Sequence, residues 1–337
     1  MKNFYYSKTV LITGGTGSFG SNFLFYLLKK FKLKKIIVFS RDEYKQYQLA
    51  KLINKKDLNR VRFFIGDVRD KQRLKIAVQD VNYVVHAAAL KQVPSIEYNP
   101  IEAIKTNVIG AQNIIEVCAT SDVQRVIALS SDKAAAPVNL YGATKLLSDK
   151  LFISANYMFG KNKTKFSVVR YGNVIGSRGS VVPLFLKQAN LPKFTITDDK
   201  MTRFNITLDD GVIFVSRCLE RMWGGEIFVP KLHSYRILDV VKSIKANFKY
   251  TKTGIRVGEK LHEEMITKDD SRNAYEYNDH YIIFPNEKFV AWKMKKYLEK
   301  YPGKKCRENF SYNSLENKKY LTVLDLKKMI NSLKHIY

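Results

Sequence analysis

Four side chains that can exchange protons lie close together in the sequence, directly after an apolar run. Asp132 and Lys133 follow the run Val126–Leu129, and Tyr141 and Lys145 stand at the start of a helical pattern. Residues four apart share one face of a helix, so Tyr141 and Lys145 are expected to lie side by side. The segment therefore predicts an acid–base site at the end of a buried strand.

The pair formed by Tyr141 and Lys145 suits hydride-transfer chemistry. A tyrosine phenol has an ordinary pKa of about 10 and is a poor base at neutral pH. An ammonium one turn away and a cationic nicotinamide would both favour its phenolate. Tyr141 could then accept the proton of a sugar hydroxyl while hydride leaves the same carbon, and Lys145 would hold the nicotinamide ribose. The Tyr-x-x-x-Lys spacing is common on helices and becomes specific only within a dinucleotide-binding fold.

The neighbouring pair Asp132 and Lys133 adds chemistry that a simple dehydrogenase does not need. A ketone acidifies the adjacent C–H bond, so Lys133 could remove that proton while Asp132 protonates a departing hydroxyl. This β-elimination of water requires a neutral Lys133, which burial, Lys145 and the cofactor charge would favour. It also requires a protonated Asp132, whose pKa must be raised. The alternative is an Asp-Lys pair that solvates the loop.

A glycine-rich turn near the N-terminus supplies a dinucleotide-binding pattern. The strand pattern Thr9–Thr13 leads into this turn, and a helical pattern follows from Phe23 to Phe31. Glycines there allow positive φ, close approach of a pyrophosphate and tight packing of helix on strand, and the helix N-terminus attracts phosphate charge. The alternative is an ordinary turn that contains three glycines and binds no dinucleotide. The predicted cofactor contacts are Gly14, Thr16, Gly17, Ser18, Phe19 and Gly20.

The end of the second strand pattern indicates which nicotinamide nucleotide binds. Lys35–Phe39 is followed by Ser40 and Arg41, where an NAD-specific fold would place an acidic residue for the ribose 2′-hydroxyl. A guanidinium suits a 2′-phosphate, so the sequence favours NADP, with Lys45 as a second phosphate contact. The alternative is that Arg41 is a solvated loop residue.

Two further strand patterns, Val61–Ile65 and Val81–His86, extend the predicted sheet. His86 is expected to pack in the core. In the helical pattern from Glu102 to Ala119, Asn107 either ties loop backbone near the cofactor or is a surface residue. Small residues after the fourth strand leave room for the cofactor, and an aspartate after the third could meet its adenine. The predicted cofactor contacts here are Asp67, Ala87, Ala88, Ala89 and Asn107.

The alternation of strand and helical patterns predicts the fold class. It is typical of a Rossmann-like, doubly wound parallel α/β sheet, in which ligands bind beyond the carboxyl ends of the strands. The alternation weakens after residue 172, which predicts a smaller, mostly C-terminal α/β substrate domain. We assign residues 1–172 to the dinucleotide-binding domain, with 208–232 returning to it, and residues 173–207 and 233–337 to the substrate domain.

Composition argues against several classes of protein. The 337 residues carry a formal net charge of +27, but no basic run occurs, so a solvated surface that draws in a phosphorylated substrate is favoured over nucleic-acid binding. The three cysteines are far apart, which argues against a disulfide framework or metal site and favours a reducing, cytoplasmic compartment. No apolar stretch is long enough to predict a signal peptide or membrane insertion.

Short segments spread over nearly the whole chain match one known family. They are residues 11–20, 40–43, 64–70, 86–91, 139–145, 168–174, 176–183, 201–204, 224–231, 258–265 and 321–323. These segments resemble extended short-chain dehydrogenases/reductases, and more narrowly the inverting UDP-N-acetylglucosamine 4,6-dehydratases. Retaining relatives usually carry Asp-Glu at the acid–base pair, or Met in place of Tyr141, so Lys133 and Tyr141 together favour the inverting branch.

The resemblance implies one catalytic cycle, with UDP-N-acetylglucosamine as substrate. Tyr141 assists oxidation at C4, Lys133 takes the C5 proton, and Asp132 helps to expel the C6 hydroxyl. Hydride then returns to C6 without net consumption of NADP. Reprotonation of C5 from the other face gives a UDP-2-acetamido-2,6-dideoxy-L-hexos-4-ulose, the first step toward a surface-glycan deoxy sugar.

The resemblance also implies further site residues. Ser131 joins the catalytic group, since it keeps the hydroxyl of the usual threonine, and Val68 joins the cofactor contacts. Ala136 and Val257 replace the usual asparagine and proline, which puts loop shape and rate in question rather than reaction type. Lys91 is implied for the cofactor as well as for the substrate. The implied substrate contacts are Lys91, Asn173, Val181, Thr195, Arg256 and Glu259.

Two other functions remain open. A UDP-sugar 4-epimerase would need Tyr141 and Lys145 but no elimination base, so Lys133 separates it from a dehydratase. A non-catalytic NADP-binding module, or a basic nucleic-acid-binding module, would not need these residues together. The resemblance further implies a homo-oligomer, with a hexamer as one form.

Overall fold

The computed structural model describes residues 2–159, 163–176 and 181–333. A large β-sheet flanked by helices forms its centre. Residues 177–180, which belong to one of the segments behind the family resemblance, lie outside the described residues. Within the described ranges, every helix is too short or too polar to cross a membrane.

Strands and helices alternate through the first part of the chain. The strands are β1 Thr9–Thr13, β2 Lys35–Ser40, β3 Val61–Ile65, β4 Tyr83–His86, β5 Arg125–Ser131, β6 Lys165–Tyr171, β7 Asn173–Val174, β8 Phe194–Ile196, β9 Thr202–Ile206, β10 Ile227–Pro230, β11 His233–Arg236, β12 Tyr250–Lys252, β13 Glu264–Ile266, β14 Ala274–Glu276, β15 His280–Ile283, β16 Lys304–Lys305 and β17 Tyr312–Asn313. The α-helices are α1 Lys2–Tyr5, α2 Ser18–Lys30, α3 Glu43–Lys51, α4 Lys55–Leu58, α5 Lys71–Ala77, α6 Val93–Tyr98, α7 Pro100–Ile104, α8 Gly110–Ala119, α9 Leu140–Met158, α10 Val181–Gln188, α11 Leu208–Arg221, α12 Ile237–Ile244, α13 Met294–Lys300 and α14 Val323–Leu333.

The main sheet is built from the predicted parallel strands. Among the described residues its order is β16-β14-β15-β10-β6-β5-β4-β1-β2-β3, and the seven strands from β10 to β3 are parallel. β1 and β4 are buried along their whole length, as expected for strands covered on both faces. Helix α2 packs against α11, while α5, α8 and α9 form a second layer. The predicted doubly wound α/β fold is confirmed.

Part of the predicted substrate domain contributes strands to the main sheet. Strand β15 pairs antiparallel with β10, and β14 and β16 continue the main sheet beyond it. Strand β15 joins the main sheet because its apolar side chains Ile282 and Ile283 are buried in the core of that sheet. A second apolar cluster lies among α10, β8, α12 and α14. This cluster lies within residues predicted to form the substrate domain, and the division into two domains stays a prediction.

The predicted helix from Glu102 to Ala119 is interrupted. Helix α7 leads into a π-turn at Lys105–Ile109 before α8 begins. This turn contains Asn107, which is buried and binds both the backbone N–H and the carbonyl of Leu90, at 2.8 and 3.0 Å, and the Thr144 hydroxyl at 3.0 Å. Asn107 therefore ties the loop after β4 to α9 and is not a surface residue.

His86 packs in the core, as predicted. Only 2% of the residue is exposed, and its Nδ1 lies 2.8 Å from the Thr13 hydroxyl. Its ring packs beside Phe152. Burial lowers the pKa of His86 to about 3, and the charge of Lys145 adds to this effect. At neutral pH the ring is therefore uncharged, which fits a packing role.

The glycine turn leaves no room for a side chain where α2 packs on β1. A Cβ at Gly20 would lie 2.5 Å from the carbonyl oxygen of Gly14. We therefore predict that Gly20→Ala forces α2 away from β1 and destabilises the fold by about 1–3 kcal/mol. Thermal melts of the purified variants measure this effect.

Gly211→Ala in α11 is the matched control. A Cβ at Gly211 would meet only Ile206, at 3.7 Å, and alanine favours the helix by about 1 kcal/mol. The control should melt at or slightly above the wild-type temperature. A Gly20→Ala variant as stable as this control would contradict the packing argument.

Candidate active site

A cavity of about 610 Å³ opens at the carboxyl ends of the parallel strands, where ligands of such sheets bind. The turn after β1 forms one part of the cavity wall. The turn after β5 and the start of α9 form a second part. The cavity therefore brings together residues predicted for cofactor, chemistry and substrate. The predicted residues that line it are Gly14, Thr16, Gly17, Ser18, Phe19, Gly20, Lys45, Ala87, Ala89, Lys91, Ser131, Lys133, Tyr141, Lys145, Asn173, Val181 and Glu259.

A 3₁₀ turn at Asp132–Ala134 presents the acid–base residues. Ser131 precedes it in extended conformation, and its hydroxyl accepts the backbone N–H of Lys133 at 3.2 Å and donates to Asp132 Oδ1 at 2.9 Å. Helix α9 packs directly on this turn because Gly142 has no side chain. Ser131 and Gly142 therefore set where the acid–base residues stand relative to Tyr141.

The ammonium of Lys133 contacts three acceptors. Its Nζ lies 3.0 Å from Asp132 Oδ1, 3.2 Å from Glu263 Oε1 and 3.2 Å from Asn173 Oδ1. Burial acts to lower the pKa of Lys133, but the charges of Asp132 and Glu263 outweigh it and raise the pKa. Burial alone therefore does not make Lys133 neutral, because the neighbouring acidic groups favour its ammonium form.

Asp132 lies beneath the cavity wall and is 1% exposed. Burial raises its pKa, the charge of Lys133 opposes this, and the charge of Glu263 adds to it. The net direction is upward, which agrees with the requirement that Asp132 hold a proton. Its Oδ2 atom is buried without a hydrogen-bond partner among the described residues.

Tyr141 and Lys145 lie one turn apart at the start of α9. The buried ammonium of Lys145 donates to the carbonyl of Leu129 at 2.6 Å, and burial lowers its pKa. Burial raises the pKa of Tyr141, and the charge of Lys133 is the largest influence that opposes this shift. Without the cofactor, burial disfavours the phenolate. The prediction that Lys145 and a bound nicotinamide together favour it stays a prediction.

Arg170 in β6 anchors the later segment that carries Glu263. Its guanidinium lies 3.4 Å from Asp149 and 3.3 Å from Asp270, and it donates to the carbonyl of Met265 at 2.9 Å. Arg170, Asp149 and Met265 are buried, and the Asp270 side chain is 28% exposed. Since Met265 stands two residues after Glu263, Arg170 fixes the position from which Glu263 reaches Lys133.

Comparison with known proteins identifies the family. A family model described as "Polysaccharide biosynthesis protein" matches residues 10–285. The protein named "UDP-N-acetylglucosamine 4,6-dehydratase (inverting)" from Campylobacter jejuni is 51% identical, over 96% of this chain and 97% of its own. The chain belongs to this family of extended short-chain dehydrogenases/reductases.

The polysaccharide biosynthesis family contains proteins named for more than one reaction. A protein named "UDP-glucose 4-epimerase" from Rickettsia bellii is 42% identical over 83% of this chain and 83% of its own. The X-ray structure of Pen from Bacillus thuringiensis, 36% identical, superposes with a TM-score of 0.87 and covers 98% of both chains. Family membership alone does not distinguish a dehydratase from an epimerase. The residues of the site must therefore distinguish them.

Some residues implied by the family resemblance lie away from the cavity wall. Arg41 is half exposed at the end of β2, with its guanidinium 3.5 Å from Asp67. Arg256 is exposed, and its closest charged partner is Glu259 at 3.9 Å. The structure therefore does not bring these groups into the cavity. The predicted residues that do not line it are Ser40, Arg41, Asp67, Val68, Ala88, Asn107, Asp132, Thr195 and Arg256.

The cavity also contains polar residues that the sequence reasoning did not assign. Four of them lie in segments that carry the family resemblance, but a single polar residue in such a segment indicates no role by itself. One of the four, the N-cap residue of α9, accepts the N–H of Gly142 at 2.7 Å and donates to the carbonyl of Gly258 at 2.7 Å, which ties a distant loop to the helix. These residues are Asn139, Arg203, Tyr235, Lys260 and Glu263.

The contact between α9 and the 3₁₀ turn yields a prediction. A Cβ at Gly142 would strike the carbonyl oxygen of Lys133 and lie 3.0 Å from Pro137. Gly142→Ala should therefore displace Lys133 from Tyr141 and reduce turnover of UDP-N-acetylglucosamine by about 100-fold, the cost of a misplacement near 1 Å. Steady-state kinetics measures this, with Gly211→Ala as the control expected to keep wild-type turnover. Wild-type turnover in Gly142→Ala would contradict the argument.

Proposed function

We propose that this protein catalyses the inverting 4,6-dehydration of UDP-N-acetylglucosamine, with epimerisation at C5. The observation that carries the proposal is an amine, Lys133, held between two buried carboxylates in the same cavity as Tyr141 and Lys145. Such an amine beside a redox pair suits abstraction of a proton next to a ketone. The name of the relative from Campylobacter jejuni supports the same reaction. The product would be a UDP-2-acetamido-2,6-dideoxy-L-hexos-4-ulose, which suits a polysaccharide biosynthesis family.

The glycine turn fits a nicotinamide dinucleotide. Gly14 has a φ of +65°, and a Cβ there would lie 2.9 Å from the backbone of Ala87, so only glycine leaves this cradle open. The N-terminus of α2 begins at Ser18 in the same wall and suits a pyrophosphate. When bound, the nicotinamide would accept hydride from C4 and return it to C6.

Each residue of the centre has its own task in this proposal. Tyr141 takes the proton of the C4 hydroxyl, and Lys145 holds the ribose. Lys133 then takes the C5 proton, while Asp132 gives its proton to the C6 oxygen, which leaves as water. Reprotonation of C5 from the face opposite Lys133 then inverts that carbon. Ser131 maintains the turn on which this geometry depends.

The UDP-sugar contacts implied by the resemblance divide into two groups. Lys91, Asn173, Val181 and Glu259 lie in the cavity wall, where they would contact the substrate. Two others, Thr195 and Arg256, are exposed outside it. We propose that Arg256 reaches the diphosphate from its loop, because a guanidinium binds phosphate oxygens in pairs.

We infer that the cofactor is NADP. Arg41 directly follows β2, at the position where an NAD-specific fold carries an acidic residue. The next residue, Asp42, is occupied: it caps α3 by accepting the N–H of Lys45 at 2.9 Å and pairs with the Lys45 ammonium at 2.8 Å. Asp42 is therefore not free to bind a ribose 2′-hydroxyl, and Arg41 is the charge available to a 2′-phosphate.

A UDP-sugar 4-epimerase is the second candidate, favoured by the epimerase name of the relative from Rickettsia bellii. An epimerase would use Tyr141 and Lys145 and would leave the C6 hydroxyl in place. It gives no reason for Lys133 and Asp132 to be buried together beside Tyr141. A non-catalytic module gives no reason for any of the four. A homo-oligomer, with a hexamer as one form, and a cytoplasmic location stay predictions.

The product formed in deuterated water separates these functions. With UDP-N-acetylglucosamine and NADP⁺, we expect deuterium at C5 and a methyl group at C6, read by NMR and mass spectrometry. Lys133→Met should reduce dehydration by at least about 100-fold, since it removes the base, while cofactor affinity stays near wild type. Lys150→Met, an exposed lysine on α9, is the control with wild-type activity.

Two outcomes would overturn the proposal. A wild-type product with its C6 hydroxyl intact would establish an epimerase instead. Loss of cofactor binding together with activity in Lys133→Met would show that Lys133 has a structural role.

The cofactor proposal predicts a selective effect of Arg41→Ala. Loss of the guanidinium should weaken the affinity for NADP⁺ by about 10- to 100-fold, which corresponds to a charge-assisted contact of about 1.5–3 kcal/mol. The affinity for NAD⁺ should stay almost unchanged. Isothermal titration with both nucleotides measures the ratio. Arg62→Ala, an exposed arginine on the neighbouring strand β3, should leave both affinities unchanged. Equal weakening of both nucleotides by Arg41→Ala is incompatible with a 2′-phosphate contact.

A further inference from the structure

Two carboxylates share the ammonium of Lys133, and they come from distant parts of the chain. Asp132 Oδ1 lies 3.0 Å and Glu263 Oε1 3.2 Å from Nζ. Both residues are nearly inaccessible, with 1% of Asp132 and 2% of Glu263 exposed. Each has one carboxylate oxygen, Asp132 Oδ2 and Glu263 Oε2, that is buried without a hydrogen-bond partner among the described residues. Two buried anions around one cation repel each other, so one of them tends to keep a proton.

The surroundings of the two carboxylates differ. Glu263 has a second cation beside it, since Arg203 Nε lies 3.6 Å from Oε1, and the charge of Lys260 also acts on it. Within the described residues, Lys133 is the one cation that forms an ion pair with Asp132, which is otherwise bound by the Ser131 hydroxyl. The negative charge is therefore better stabilised on Glu263 than on Asp132.

We propose that Glu263 is a positioning residue that carries the negative charge opposite Lys133 and so leaves Asp132 its proton for the elimination. This inference rests on the proposed dehydratase function and assigns to it a residue that the sequence reasoning missed. The opposite pKa directions agree with it. Burial raises the pKa of Asp132, whereas Lys133, Arg203 and Lys260 overcome the effect of burial on Glu263 and lower its pKa.

The same arrangement supplies the proton balance of the elimination step. At rest Lys133 and Glu263 form an ion pair. For the elimination, the Lys133 ammonium passes its proton to Glu263 Oε1, which gives up its negative charge during this step and leaves a neutral amine beside a neutral carboxyl. The amine then takes the C5 proton, the C6–O bond breaks, and Asp132 gives its proton to the departing oxygen, forming water. Asp132 cannot accept the Lys133 proton as well, because it already carries one. Glu263 is the remaining carboxylate in contact with Nζ.

Other titratable groups also face Asp132 from the surrounding elements. Tyr141 approaches from α9, Tyr235 from β11, and Lys260 from the loop that precedes β13. The two phenols carry no charge while their pKa values are raised by burial. Lys260 donates to the carbonyl of Ala135 at 2.6 Å and is held beside the turn. Glu263 is thus the one anion among the described groups that act on Asp132.

Infrared spectroscopy tests the assignment without turnover. Wild-type protein with ¹³C-labelled aspartate should show the C=O band of a protonated carboxyl at neutral pH, and Asp132→Asn should remove it. In Glu263→Gln, Asp132 becomes the only carboxylate beside Lys133, so it should ionise and its C=O band should disappear. Glu263→Asp keeps the charge and should restore the band. Glu264→Gln is the matched control, because Glu264 binds the Ser311 hydroxyl at 2.7 Å instead, and it should leave the band unchanged.

Kinetics provides the second readout. Glu263→Gln should lower the dehydration rate by about 10- to 100-fold with KM near wild type, and Glu264→Gln should change neither. Absence of the Asp132 band in the wild type, or its persistence in Glu263→Gln, would overturn the inference. A wild-type product that keeps its C6 hydroxyl would contradict the proposed dehydratase function instead. The infrared result would still show which carboxylate holds the proton.

Discussion

The ammonium of Lys133 is the point at which distant parts of the chain meet. Asp132 belongs to the turn after β5, Asn173 to β7 and Glu263 to the segment before β13, and each places an oxygen 3.0–3.2 Å from the same nitrogen. Breaking a buried ion pair by removal of one partner costs about 3–5 kcal/mol. The elements that carry these residues must therefore close on one another, and formation of the site is inseparable from packing of the C-terminal part against the main sheet.

Much of the fold could be predicted because its signals are local. The apolar run of β1, the glycine turn and the start of α9 are each contained in a few residues, and a parallel sheet gathers their ends at one edge. Glu263 could not be assigned, since its importance arises from a contact with a residue 130 positions earlier in the chain. The same limit applies to β15, which looks like part of a separate domain until its pairing with β10 is known.

The charges of Tyr141 and Lys133 could not be predicted from spacing. Helical spacing correctly placed Tyr141 and Lys145 on neighbouring turns, but the Lys145 ammonium donates to the carbonyl of Leu129, and Lys133 is the largest influence that opposes the effect of burial on the phenol. Burial was expected to favour a neutral Lys133, yet the acidic groups of Asp132 and Glu263 beside it outweigh the effect of burial and raise its pKa. Spacing thus predicts which backbone positions are close, whereas the charge on a group depends on which oxygen atoms its side chain meets.

The antiparallel strand β15 has a consequence for how the enzyme is made. Strand β10 is parallel to β6 on one side, and its other edge is covered only by β15, which is synthesised some fifty residues later. Until β15 emerges, β10 presents an apolar, unpaired edge of the kind that invites association with other chains. Glu263 lies within that same interval. During translation, the acid–base centre is therefore completed and the unpaired edge of β10 is covered within the same short part of the chain. A product that ends before this part would be both inactive and prone to aggregate.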